Sequence, residues 1–100
     1  MTAPCYVGDE ATAAGFRLAG ARVLVPGDGE ETAAFELART EAPLVLVSAA
    51  IAARLRGSLV DAALAALAPL TLIVPDLRGD ASVPDLAARL RRELGVEESR

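Results

Sequence analysis

Asp9 and Glu10 follow the first apolar run of the chain, at the place where an open α/β sheet collects its functional side chains. An aspartate there could take part in phosphoryl transfer. That chemistry also needs an Asp at the end of the third strand and a Lys after a late strand. Ser48 stands at the first of these places, and the chain contains no Lys at all. Asp9 therefore reads as the cap of a helix, with Glu10 in the first turn complementing the helix dipole. Gly27-x-Gly29 faintly resembles a phosphate loop, but Thr32, Ala33 and Ala34 stand where the remaining glycine of a dinucleotide fingerprint belongs. Ser48 and Ser58 have no His to activate them, since the chain has no His, and both read as caps. Cys5 is the single cysteine, so it makes no internal disulfide and reads as a small core hydrophobe. Metal-ligand spacing is missing too. No catalytic, cofactor-binding or metal-ligating residue is expected.

The elements that must position these residues alternate between short apolar runs and longer stretches of helical period, the mark of βαβ units. Residues 4–8 read as a first strand, 10–19 as a helix stopped by Gly20, and 21–25 as a second strand closed by Pro26-Gly27-Asp28-Gly29. A second helix is expected over 30–40, with Ala34, Leu37 and Ala38 on one face. Residues 44–47, Leu-Val-Leu-Val, are apolar throughout, as a strand covered on both faces must be. Arg56-Gly57-Ser58 divides the next stretch into two short helices, with Ser58-x-x-Asp61 patterned as a capping box. Ala68-Pro69 ends the second of them, and 70–74 form the fourth strand. Right-handed crossovers then predict an α/β fold: a four-stranded parallel sheet in the order 2-1-3-4, flanked by helices, of Rossmann-like or receiver-like topology. The body is expected over 1–76. Residues 77–100 are expected to form a loop and a C-terminal amphipathic helix that together with the body make one structural domain.

With 100 residues there is room for one core, and folding hides roughly two thirds of the unfolded surface. Hydrophobic residues make up 53% of the chain, yet only Tyr6, Phe16 and Phe35 are aromatic, so aliphatic residues must fill that core. Such an apolar surplus in a small domain points to a face meant for a partner. A net charge of −4, with every basic residue an Arg, excludes nucleic acid as the main partner. No signal peptide and no apolar run of about 18 residues is read, so a cytoplasmic chain without membrane insertion is expected.

Two apolar features are left over from the core. Phe16 and Arg17 close the first helix inside Gly15-Phe16-Arg17-Leu18-Ala19-Gly20. In the last helix, capped by Ser82, residues Val83, Leu86, Ala87, Leu90 and Leu94 fall within about 100° on a helical wheel, with Arg89, Arg91 and Arg92 outside the stripe. Such a stripe either covers the sheet or packs on a partner helix, as in coiled-coil bundles.

Val7-Gly8-Asp9-Glu10, followed by Gly15-Phe16-Arg17-Leu18-Ala19-Gly20, resembles the opening of the F subunit of V-type and archaeal A-type rotary ATPases (ATP synthases). Leu70-Thr71-Leu72-Ile73-Val74-Pro75 and the terminal Leu94-Gly95-Val96 continue the likeness over nearly the whole chain. It departs in Pro4 and Cys5, where that family has aliphatics, and in a short second loop. The resemblance implies a non-catalytic component of the central rotor stalk, without cofactor, peripheral to the membrane. Its partners would be the coiled coil of the D subunit, the A/B catalytic hexamer and the other stalk subunits. It would couple ATP hydrolysis or synthesis to the transport of hydrogen or sodium ions. Val83, Leu86, Leu90 and Leu94 would make the partner contact, Arg89 and Arg92 would pair with acids at its rim, and Phe16 and Arg17 would lie on the face near the stalk. The alternative is a degenerate receiver-like interaction domain without phosphorylation chemistry.

Overall fold

The computed structural model describes residues 3–75. The expected terminal helix, with Val83, Leu86, Arg89, Leu90, Arg92 and Leu94, lies outside the described residues, as does the division expected after residue 76.

The described chain runs β1 (Cys5–Val7), α1 (Glu10–Leu18), β2 (Arg22–Leu24), α2 (Glu31–Glu41), β3 (Leu44–Ser48), α3 (Ala49–Arg54), α4 (Gly57–Ala65) and β4 (Leu70–Val74). All strand pairs are parallel, in the order β2-β1-β3-β4 expected from right-handed crossovers. Tyr6 aligns with Val23 and with Leu46, and Leu46 with Leu72, so one register runs across the sheet.

Side chains alternate between the two faces of each strand, and this divides the core in two. Cys5, Val7, Val45 and Val47 meet α2, α3 and α4 through Phe35, Ala38, Ile51, Leu55 and Ala63. Tyr6 and Leu46 point the other way and meet Ala13, Phe16, Ala19 and Ala21 in and just after α1. Helices on both faces explain why β1 and β3 are apolar at nearly every position. Burial raises the pKa of the Cys5 thiol, which the Arg22 charge opposes and Glu41 reinforces.

Local chemistry sets the helix ends. Ala19 is the C-cap of α1, and Gly20 follows at φ 101°, a conformation that glycine adopts without a Cβ penalty. Ser48 ends β3 and caps α3, its Oγ accepting the Ile51 N–H at 3.1 Å.

Two details differ from expectation. In α2 the buried stripe is Glu31, Phe35 and Ala38, while Leu37 is 45% exposed. Hiding the Phe35 ring removes more apolar area than hiding Leu37, and this sets the rotation of the helix. Helix α4 begins at Gly57 with Arg56 at the cap position, so Ser58 lies inside the first turn and the expected capping box does not form. The Arg56 carbonyl already accepts from Leu59 and Val60, which starts the helix before Ser58 can cap it.

Candidate functional site

The carboxyl edge of the sheet collects Asp9, Ser48, Arg54 and the Gly27–Gly29 turn. Asp9 Oδ2 accepts the Thr12 N–H at 2.9 Å, which makes it the N-cap of α1, and its Oδ1 accepts from the Tyr6 hydroxyl at 3.3 Å. Partial burial pushes the Asp9 carboxyl up. The hydrogen bonds from Thr12 and Tyr6 outweigh this and hold it below the usual carboxylate range. Burial and the Asp9 charge push the Tyr6 phenol up to about 12, so it remains a neutral donor.

Because the folded pKa of Asp9 is lowered, its stabilisation is full above the ordinary value of 3.8 and is lost as pH falls through the lowered value. Asp9→Ala is expected to remove about 1 kcal/mol at neutral pH. Urea unfolding at pH 7 and pH 3 checks both statements: the gap between the variant and the parent narrows at pH 3. An equal gap at the two pH values would remove the role assigned to the charge.

Gly8 is needed for packing. A Cβ at this position would run into the Tyr6 hydroxyl and ring. That ring is 1% exposed and stacked on Phe16, so it has nowhere to retreat. Gly8→Ala is expected to destabilise by about 1–3 kcal/mol through overpacking. An unchanged denaturant midpoint would refute this.

The turn after β2 is closed by its own acids. Glu30 Oε1 accepts the Gly27 N–H and Glu31 Oε1 the Gly29 N–H, both at 3.0 Å. The main-chain donors a phosphate would use there are thus already taken. Arg54 Nη1 donates to Glu31 Oε2 at 3.1 Å and lies 3.4 Å from Asp28 Oδ1. The backbone N–H of Glu31 and the Arg54 guanidinium hold the Glu31 carboxyl below its usual range, and the Arg54 pKa is raised in turn. Between these groups lies a cavity of about 210 Å³ lined by Gly8, Asp9, Pro26, Ser48, Ile51 and Arg54. Its polar side chains serve as caps and ion-pair partners of the fold.

Phe16 does not lie at a surface: it is 2% exposed, with its ring stacked on Tyr6 at 4.4 Å and 13°. The expectation of Phe16 beside a partner is corrected to a core position under α1, because the small Ala13, Ala19 and Ala21 leave a pocket that only a large ring fills. Arg17 is exposed and 3.4 Å from Glu10. Sequence reasoning missed the flank formed by the end of α4 and by β4. There Leu64, Leu67, Leu70, Leu72 and Ile73 are all exposed. The signal was available, since Asp61 is the one charged residue between Gly57 and Pro75.

These features define a small doubly wound α/β domain whose polar edge groups maintain the fold. The chain belongs to the ATP synthase (F/14-kDa) subunit family, whose model matches residues 5–91. The resemblance to the F subunit of V/A-type ATP synthases thus holds at the level of the family. No curated protein and no solved structure gives a significant match. Among the described residues, no helix is long and apolar enough to cross a membrane.

Proposed function

We propose that this chain is the central-stalk (rotor) F subunit of a rotary ATPase and binds the coiled coil of a D-subunit homologue. The stripe of Val83, Leu86, Leu90 and Leu94 makes the contact, Arg89 and Arg92 line its rim, and exposed Arg17 faces the same partner. Phe16 contributes indirectly, by holding α1 in place. Through this contact the protein turns with the stalk inside the A/B hexamer, on the cytoplasmic side and peripheral to the membrane, beside the other stalk subunits. It thereby couples ATP hydrolysis or synthesis to ion transport without a catalytic group of its own.

The family match carries this reading, because it extends to residue 91 and takes in most of the striped segment as well as the body. The chemistry supports it: torque needs a stiff contact, and the described acids, serines and glycines at the sheet edge are spent on caps and turns. Co-expression of the full chain with a tagged D-subunit homologue tests it. A stable complex that survives gel filtration is expected. Recovery of the tagged partner alone would overturn the proposal.

A further inference from the structure

The arginines among the described residues are not alike. Arg17, Arg22 and Arg54 are each ion-paired on the body, and Arg56 stands exposed to water. Arg39 lies in the last turn of α2, partly buried, with its Nε shut away from solvent and without a hydrogen-bond partner. No acid among the described residues pairs with its guanidinium, and Glu41, two residues on, is held by Arg22 at 2.9 Å. Buried polar groups are as a rule satisfied, so such a donor needs something to complete it. The other unpartnered buried atom, Thr71 Oγ1, belongs to a residue 2% exposed, which nothing from outside reaches.

Arg39 lines a groove of about 680 Å³ at the amino edge of the sheet, the end opposite Asp9 and Ser48. Pro43 and Pro69, which stand immediately before β3 and β4, line it too, with Ala42 and Ala68. The Leu70 N–H donates to the Pro43 carbonyl at 3.0 Å, which fixes these two strand entrances side by side. Prolines have no N–H, and the Ala42 N–H is spent on the Ala38 carbonyl. The Thr40 hydroxyl likewise donates to the Glu36 carbonyl at 2.9 Å. Among the described residues, the groove thus sets one unpaired cation beside an apolar floor, and Leu67, next to Ala68, is 89% exposed. The negative end of the α2 dipole offsets about half of the charge, which leaves the site net positive. An acidic side chain with an apolar neighbour fits this pattern. Its carboxylate accepts from the guanidinium, and its neighbour covers the alanines and prolines. Shielded from water by that contact, the pair counts for more than one on an open rim.

We propose that this groove is a second docking site for the D-subunit homologue, which sets a carboxylate on Arg39. The inference rests on the stalk assignment proposed above and adds a contact on the body to that of residues 83–94. Arg89 and Arg92 at the rim of the stripe call for acids on the same partner, so its surface carries the charge that Arg39 lacks.

The chain contains no Lys, so Arg39→Lys places its single side-chain amine in the groove. In the co-expressed complex with the D-subunit homologue, a carbodiimide condenses that amine with a carboxylate in contact, forming an amide while the reagent takes up the water as a urea. Mass spectrometry is expected to find residue 39 joined to an Asp or Glu of the partner. In calorimetric titration, Arg39→Gln is expected to weaken binding about tenfold and Arg39→Glu further, and the Kd of both should depend less on salt than that of the parent. Circular dichroism checks the fold, and Arg39→Gln carries the test if Arg39→Glu does not fold. Residue 39 joined to Glu97, Glu98 or another acid of its own chain or of a second copy overturns the proposal. So does a complex that holds but gives no product at residue 39, and so does parent affinity in Arg39→Gln. These results leave the contact of residues 83–94 standing, whereas a parent chain that forms no complex removes both readings.

Discussion

Leu90→Asp is expected to abolish binding to a D-subunit homologue while leaving the α/β body folded. Leu90 sits in the middle of the proposed contact stripe, where full burial of a leucine contributes about 1.5–3 kcal/mol. Aspartate forfeits that contribution and adds the cost of desolvating an unpaired carboxylate. Together these exceed about 4 kcal/mol, or roughly a thousandfold in Kd. Leu90→Ala should lose only the apolar part, about tenfold to a hundredfold. Arg89→Ala and Arg92→Ala should change the Kd by less than about fivefold, because exposed ion pairs contribute little. Calorimetric titration against the purified coiled-coil partner separates these grades, and circular dichroism checks the fold. Wild-type affinity in Leu90→Asp would remove the terminal segment from the interface.

Phe16→Ala is expected to bring the domain close to unfolding. The ring lies between the sheet and α1, 2% exposed and stacked on Tyr6. Ala13, Ala19 and Ala21 surround it and have no side-chain length with which to fill the vacated space. Truncating a buried phenylalanine costs about 3–5 kcal/mol. Against a net stability of about 5–15 kcal/mol for a domain, that is a large share. Urea denaturation should show the loss in the midpoint, with Phe16→Leu losing distinctly less. A loss under about 1 kcal/mol would mean that the pocket closes by itself. Any loss of coiled-coil binding in Phe16→Ala should follow the unfolded fraction, since the ring offers no surface to a partner.

Much of the fold was legible because its signals are local. Leu44–Val47 is apolar at every position, and a strand covered on both faces has few other ways to look. Asp9, Gly20 and Ser48 mark helix ends through side chains and backbone freedom that act within three residues, so their roles can be read without tertiary context. The sense of rotation of α2 could not be read this way. Ala34, Phe35, Leu37 and Ala38 satisfy more than one helical stripe, and only the shape of the opposing sheet chooses Phe35 over Leu37. Ser58-x-x-Asp61 satisfied a local rule, but the chain enters the helix two residues earlier, with Arg56 at the cap. Exposure of the α4–β4 flank was hidden for a related reason: periodicity reveals which residues are apolar, while the arrangement of elements decides which stay uncovered. Phe16 illustrates the converse. Beside Arg17 it resembles a surface pair, yet a helix turns successive side chains by about 100°, which sends one inward and the other to solvent.

Cys5 lies within β1, 3% exposed, with its Sγ–H donating to the Tyr6 carbonyl at 3.9 Å and its pKa raised by burial. Alkylating reagents attack the thiolate, so this sulfur is inert while the central strands hold together. Labelling must then wait for the sheet to part, and its rate, compared with that of an unfolded chain, measures how often this happens. The protein thus carries its own stopwatch for opening, readable in a crude mixture by mass alone.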